Sequence, residues 1–207
     1  GTVLLPRASY YIQKGEIKQF YRITKKSLNF VMVIAIPMTI YFIYFARQGI
    51  IFLSGNAYEG AVMPMKLIMP TLVLIGITNI LGIQMLVPMG REKSVLYSEI
   101  AGAVVDVIIN AILIPKYASV GAAIGTLVAE AVVLIVQFYA LKEKVKDAFI
   151  QIPYLKIICA ALIGSGAALW VKNLKWGSIG TLILSAILFF GTYGCTLLVL
   201  KEKIAVE

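Results

Sequence analysis

Apolar residues in this chain come in long uncharged runs, with charged residues gathered between them. Residues 27–46, 67–90 and 176–200 contain no charged side chain. Runs of about 18 or more apolar residues are long enough to cross a bilayer as helices. Extending each run to its charged flanks predicts six spans, at about 27–46, 63–87, 94–114, 119–141, 155–171 and 177–200. The fifth is the shortest, and a core or re-entrant segment is its competing reading. Lys156 and Lys172 at its ends can reach the interface, so it is kept as a span. Backbone polar groups in hydrocarbon must pair internally, and no strand-like alternation is present, so the fold class is all-α and polytopic. The short connection at 115–118 makes the third and fourth spans antiparallel neighbours. Residues 1–26 read as the end of a preceding helix plus a cytoplasmic loop, 27–141 as a four-helix part and 142–156 as an interfacial linker. Residues 157–200 read as two additional spans, and 201–207 as a cytoplasmic tail.

Composition agrees with a membrane location: 60% of the 207 residues are hydrophobic and 14% charged, with a mean hydropathy of +0.92. The net charge of +9 raises nucleic acid as a partner, so the placement of the 19 Lys and Arg decides. Fourteen lie within 1–26, 91–93, 142–156 and 201–203, and five (Arg47, Lys66, Lys116, Lys172 and Lys175) lie on the other side. That asymmetry is the positive-inside pattern; it puts both termini of the segment in the cytoplasm and leaves no basic face for nucleic acid. His is absent, and Cys159 and Cys195 sit inside apolar runs, where small buried thiols are expected. Neither a metal-ligand spacing nor a disulfide framework is present, so no metal or cofactor is expected. The first residues lack the regions of a signal peptide, and the chain reads as beginning inside a longer design.

Several residues are not needed by a plain membrane helix. Pro37 in the first span and Pro70 in the second each remove a backbone donor, as a static bend or a transporter hinge would. The second span also carries "GITNILGIQ", in which Asn79 and Gln84 suggest a polar cavity beside the packing glycines Gly76 and Gly82. In the third span Glu99, Asp106 and Asn110 share one helix face with Gly102 and Ala103. Burying an ionised carboxylate at mid-span costs about 3 kcal/mol, so this face does not look at lipid. Asp106 and Glu130 both lie roughly 15 Å from the outer loop at 1.5 Å per residue, which would set them level on adjacent helices. A structural pair, a proton or sodium coupling site, and a water-filled path for a polar headgroup remain three readings of these acids. Gly121 and Gly125 have the spacing that brings helices together. Lys66, near the outer end of the second span, is a counter-charge for an anionic ligand or an interfacial anchor.

The order of "LLPRAS", a basic loop, "AIPMTI", "PTLVLIGITNILGIQMLVPMGREK" and "AGAVVDVIINAILIPKYASVGAAIGTLVAE" resembles the C-terminal part of polysaccharide repeat-unit flippases of the Wzx type. These share a superfamily with the MATE drug exporters and with the flippase for the peptidoglycan precursor lipid. The likeness covers residues 1–141, whereas 155–200 resemble the family only as two further spans. The family usually has an amide where this chain has Asp106, with a second Asn matching Asn110.

The resemblance implies the C-terminal part of a two-lobe, MATE-like transporter whose N-terminal lobe, of about eight helices, lies upstream. It also implies a non-enzymatic function: moving undecaprenyl-diphosphate-linked oligosaccharide from the cytoplasmic to the outer leaflet for capsule, O-antigen or exopolysaccharide synthesis. The implied setting is the bacterial plasma membrane. The implied partners are the lipid-linked substrate, the bilayer, the missing lobe, and polysaccharide polymerase and assembly proteins. A cation-coupled drug exporter of the MATE class is the alternative, with Asp106 and Glu130 as its ion sites. A membrane enzyme of glycan assembly is poorly supported, since no nucleotide-sugar motif and no carboxylate pair in a sizeable loop is present.

Overall fold

The structure, a computed structural model, describes residues 4–142, 153–174 and 177–200. Most of the 142–156 linker, together with Lys175 and the 201–207 tail, therefore lies outside the described residues. Among the described residues the architecture is entirely helical. Helix α1 (Leu4–Gln13) turns at Gly15 (φ +73°) into α2 (Ile17–Tyr44). Then come α3 (Ala46–Ser54), a 3₁₀ turn (Asn56–Ala61), α4 (Val62–Ile68), and α5 (Thr71–Asn79) with its π-helical continuation Ile80–Leu86. Helices α6 (Glu92–Tyr117) and α7 (Ser119–Leu141) follow. The last two are α8 (Tyr154–Leu169), which ends in a 3₁₀ turn Trp170–Leu174, and α9 (Ser178–Val199). Five of these segments are long and apolar enough to span a membrane, and counting the pair Asn56–Ile68 and Thr71–Leu86, bent by 42°, as one broken span brings the number to six.

The spans differ from the sequence expectation mainly at their ends. Helix α2 starts at Ile17, about ten residues before the uncharged run, so much of the expected 1–26 loop is helix. The reason is amphipathic: Phe20, Thr24 and Leu28 recur every four residues and are buried, while Lys18, Arg22 and Lys26 are exposed. The second span is broken at Met69–Pro70, as a missing proline donor predicts. Helix α6 continues through Pro115 to Tyr117. Ala118 makes the reversal into α7 with a positive φ of 47°.

The described residues fall into two compact units. The first holds residues 1–32 and 71–152 and is dominated by the α6–α7 hairpin. The second holds 33–70 and 153–207, with Tyr41, Phe45, Ala168 and Phe189 at its core. Within this second unit α8 and α9 pack closely: a Cβ on Gly164 would stand 2.9 Å from the Phe189 carbonyl oxygen. The Tyr41 hydroxyl donates to the Leu182 carbonyl at 2.9 Å and lies 3.1 Å from Ser185 Oγ. Helix α2 runs through Pro37 without a break, although the proline leaves the carbonyl four residues earlier without its helical donor. That carbonyl belongs to Val33, and the Tyr193 hydroxyl donates to it at 2.7 Å.

Basic residues at the span ends are tied to helix C-termini, where free carbonyls and the helix dipole favour cations. Lys156 donates to the Leu200 carbonyl at 2.9 Å and Lys172 to the Tyr44 carbonyl at 2.6 Å. In the first unit Arg91 donates to Ala140 at 2.8 Å. Large apolar side chains such as Val107, Ile135, Tyr139 and Leu155 are left uncovered by the chain, as lipid-facing positions should be. Cys159 and Cys195 are exposed as well, not buried as expected. The covered stripe of α8 runs through Ile157, Ala160, Ala161 and Gly164, and Cys159 points off it.

Candidate functional site

The site is built on the α6–α7 hairpin, whose helices approach through glycine. A Cβ on Gly121 would stand 2.5 Å from the backbone carbonyl carbon and oxygen of Leu113, and one on Gly102 would stand 3.2 Å from the Ala129 carbonyl. These contacts, with Gly125 against Asn110 and Ser98 against Gln137, run antiparallel along the pair. The 121/125 spacing seen in the sequence therefore does bring helices together.

Asp106 and Asn110 converge on Gly125. An added Cβ there would meet Asn110 Oδ1 and stand 3.1 Å from Asp106 Oδ1. Both oxygens are buried and have no hydrogen-bond partner, so this notch is short of donors. Glu99 lies two turns away along the same stripe but opens elsewhere, into a cavity of about 180 Å³ in the first unit. Thr78 and Asn79 from the end of α5, Gly82 from the π-helical turn, Glu99 from α6, and Glu130 and Gln137 from α7 line it together with apolar side chains. Asp106 and Glu130, which the sequence would set level on adjacent helices, do not line one cavity: the carboxylate that shares a cavity with Glu130 is Glu99. The antiparallel register sets Asp106 against Gly125 and Gly102 against Ala129, so Glu130 lies about a turn away from the level of Asp106.

Local structure explains the cavity's floor and walls. The π-helical turn carries i→i+5 bonds, among them Val87 N–H to Gly82 carbonyl at 3.1 Å, and such turns are frequent at functional sites. Gly82 lies against the Gln137 amide, with Nε2 3.0 Å from where its Cβ would be. Gln137 is 1% exposed. Its Nε2 donates to Ser98 Oγ at 3.2 Å, while Ser98 donates its own proton to the Val95 carbonyl at 2.7 Å. Ser98 Oγ thus accepts from Gln137 Nε2, and Gln137 Oε1 has no partner.

The other sequence candidates do not join this cavity. Gln84 is buried within the π-helical turn and does not line it. Lys66 is exposed in the last turn of α4 and belongs to the second unit, as does Pro37; Pro70 sits at the break before α5. Gln137 is the residue that sequence reading missed. Its signal was its position seven residues after Glu130, on the same face of an otherwise apolar helix. No group of three His, Cys, Asp or Glu suited to a metal is present among the described residues.

Comparison with known proteins places this helical unit. The sequence model of the family described as "Lipid II flippase MurJ" matches residues 1–190. The chain belongs to the MurJ family. The superfamily is the one the sequence resemblance pointed to, but the member that matches is MurJ and the Wzx type is not shown. The match gives no support to the drug-exporter alternative. The chain is also similar to "Uncharacterized membrane protein MJ1068" of Methanocaldococcus jannaschii, at 26% identity over 196 residues. That alignment covers 93% of this chain and 38% of the relative, so the chain spans well under half the length of that relative.

Proposed function

We propose that the chain is part of a flippase that moves a prenyl-diphosphate-linked saccharide precursor from the cytoplasmic to the outer leaflet. The family match over residues 1–190 is the observation that carries this reading. A lipid II-type precursor and a polysaccharide repeat unit for capsule, O-antigen or exopolysaccharide share the chemistry that matters, a diphosphate and sugar hydroxyls on a long apolar tail. No bond is made or broken. The physical task is to keep the polar head hydrated or hydrogen-bonded while it crosses hydrocarbon, where each unsatisfied polar group costs several kcal/mol. Polar side chains inside α5–α7 suit such a protein, and uncovered apolar helix faces suit its bilayer. The rest of the transporter supplies a facing lobe, Pro37 and Pro70 act as hinges, and both ends of this segment lie in the cytoplasm.

The test is depletion of the whole gene in its host, followed by measuring lipid-linked saccharide on the cytoplasmic leaflet with a membrane-impermeant reagent on inverted vesicles. Accumulation on that leaflet is expected. Unchanged leaflet distribution would sink the proposal.

A further inference from the structure

We propose that the exposed basic stripe at the start of α2, carrying Lys18, Arg22 and Lys26, binds the phosphate headgroups of anionic phospholipids. Residues 1–32 hold six Lys and Arg against a single carboxylate, Glu16, which precedes α2. Phe20, Thr24 and Leu28 turn one side of α2 into the first unit, which leaves Lys18, Arg22 and Lys26 exposed on the other. Arg91 is within electrostatic reach of Tyr21 on the same stretch of helix and adds its charge to this end of the unit. Its own Nη1 is committed to the Ala140 carbonyl at 2.8 Å. Lys18 and Arg22 have no hydrogen-bond or ion-pair partner among the described residues. Basic residues four apart are neighbours on a helix, and like charges at that spacing disfavour it. An anion beside the stripe removes that cost.

The position of the stripe selects the kind of anion. The uncharged run 27–46 covers about 30 Å at 1.5 Å per residue, the thickness of the hydrocarbon core. Lys26 therefore stands at the edge of that core, with Arg22 about 6 Å and Lys18 about 12 Å beyond it. A headgroup layer of about 5–8 Å contains Arg22, and the long side chains of Lys18 and Lys26 can reach into it from either side. Phe30, one turn further along the stripe, is 54% exposed, so the basic residues run straight into an apolar face that meets lipid tails. Ile17 next to Lys18, and Tyr10, whose ring carries Lys14 Nζ at 4.7 Å, are exposed as well. Basic and apolar side chains mixed in this way suit a bilayer surface, whereas a nucleic acid or an acidic peptide would leave the apolar ones without a partner. Binding at this stripe does not depend on what the whole protein carries, so it and the flippase reading can fail separately.

The experiment titrates dioleoylphosphatidylglycerol, with dioleoylphosphatidylcholine as the zwitterionic reference, into the purified full chain in dodecyl maltoside and counts bound lipid by native mass spectrometry. The first lipid bound should show a preference for phosphatidylglycerol of roughly tenfold or more, and the preference should shrink as ammonium acetate is raised. Lys18→Gln and Arg22→Gln should each weaken it about three- to fivefold, and the triple variant that adds Lys26→Gln should bind both lipids alike. Arg22→Lys should recover the preference that Arg22→Gln loses. Lys116→Gln, which removes a charge at the far end of α6, should bind as the parent does. These substitutions leave the buried side of α2 untouched, and a monodisperse elution peak verifies folding. If the triple variant does not fold, the single variants and the salt series on the parent decide. Tighter retention of farnesyl diphosphate than of phosphatidylglycerol by the stripe would assign it to a prenyl-diphosphate and overturn the assignment to bilayer lipid. Equal binding of the two phospholipids by the parent, or a preference that the glutamine variants keep, would overturn the proposal altogether.

Discussion

Asp106 and Asn110 face Gly125 with two buried oxygens that accept no hydrogen bond. A carboxylate in that notch carries a charge cost that an amide does not, and an amide brings an N–H that Asn110 Oδ1 can accept. Asp106→Asn is therefore expected to raise stability by about 1 kcal/mol, read as a higher thermal midpoint of the purified protein in detergent. A lower midpoint would show that the folded state uses the charge. The same logic separates the acids by environment, not by type. Glu99 and Glu130 line one cavity, whereas one Asp106 oxygen is buried beside Gly125 without a hydrogen-bond partner. Their sequence contexts look alike, and all three were legible as costly residues. Which of them share a space was not, because side-chain direction depends on the rotation of α6 and α7 about their own axes.

Among the helices, α2 shows how a membrane helix tolerates proline. Pro37 removes the N–H that would bond Val33, and the Tyr193 hydroxyl from α9 takes that place at 2.7 Å. Hydrocarbon offers no water to do the same, so the tyrosine is the proline's partner in physical terms. Tyr193→Phe should cost about 1 kcal/mol or somewhat more in the parent. The cost should shrink in a Pro37→Ala background, where the alanine N–H returns to Val33. Chemical-denaturant unfolding of the four proteins in a double-mutant cycle measures this, and equal costs in both backgrounds would refute the coupling. Pro37 was visible in the sequence as an interruption. Its partner lies about 160 residues away and could be read only from the fold. The break at Pro70 was visible too, but that the helix runs through Pro37 and breaks at Pro70 was not.

For the whole molecule, the chain passes between its two compact units at 32/33, 70/71 and 152/153. The first two passages lie within five residues of Pro37 and Pro70, which supports the hinge reading within the proposed transport cycle. Pro70→Ala should restore a backbone donor and stiffen the second span, leaving the protein folded but lowering transport of the lipid-linked cargo several-fold. Parent-level transport by a folded Pro70→Ala protein would remove that hinge from the proposal. The spans, their number and the all-helical class were readable from the residues alone, because transfer into a bilayer is close to a sum over positions and bilayer thickness sets the length of the run. The amphipathic start of α2 escaped that reading, since charge on one face hid burial on the other. The outward cysteines escaped it because a run that is apolar all round does not say which side will be covered. Glycine contacts of a few ångströms set the register of α6 against α7, and the π-helical turn sets Gly82 on Gln137. Those contacts between residues far apart in the chain, and not any property of one residue, placed Glu99, Glu130 and Gln137 around a common space.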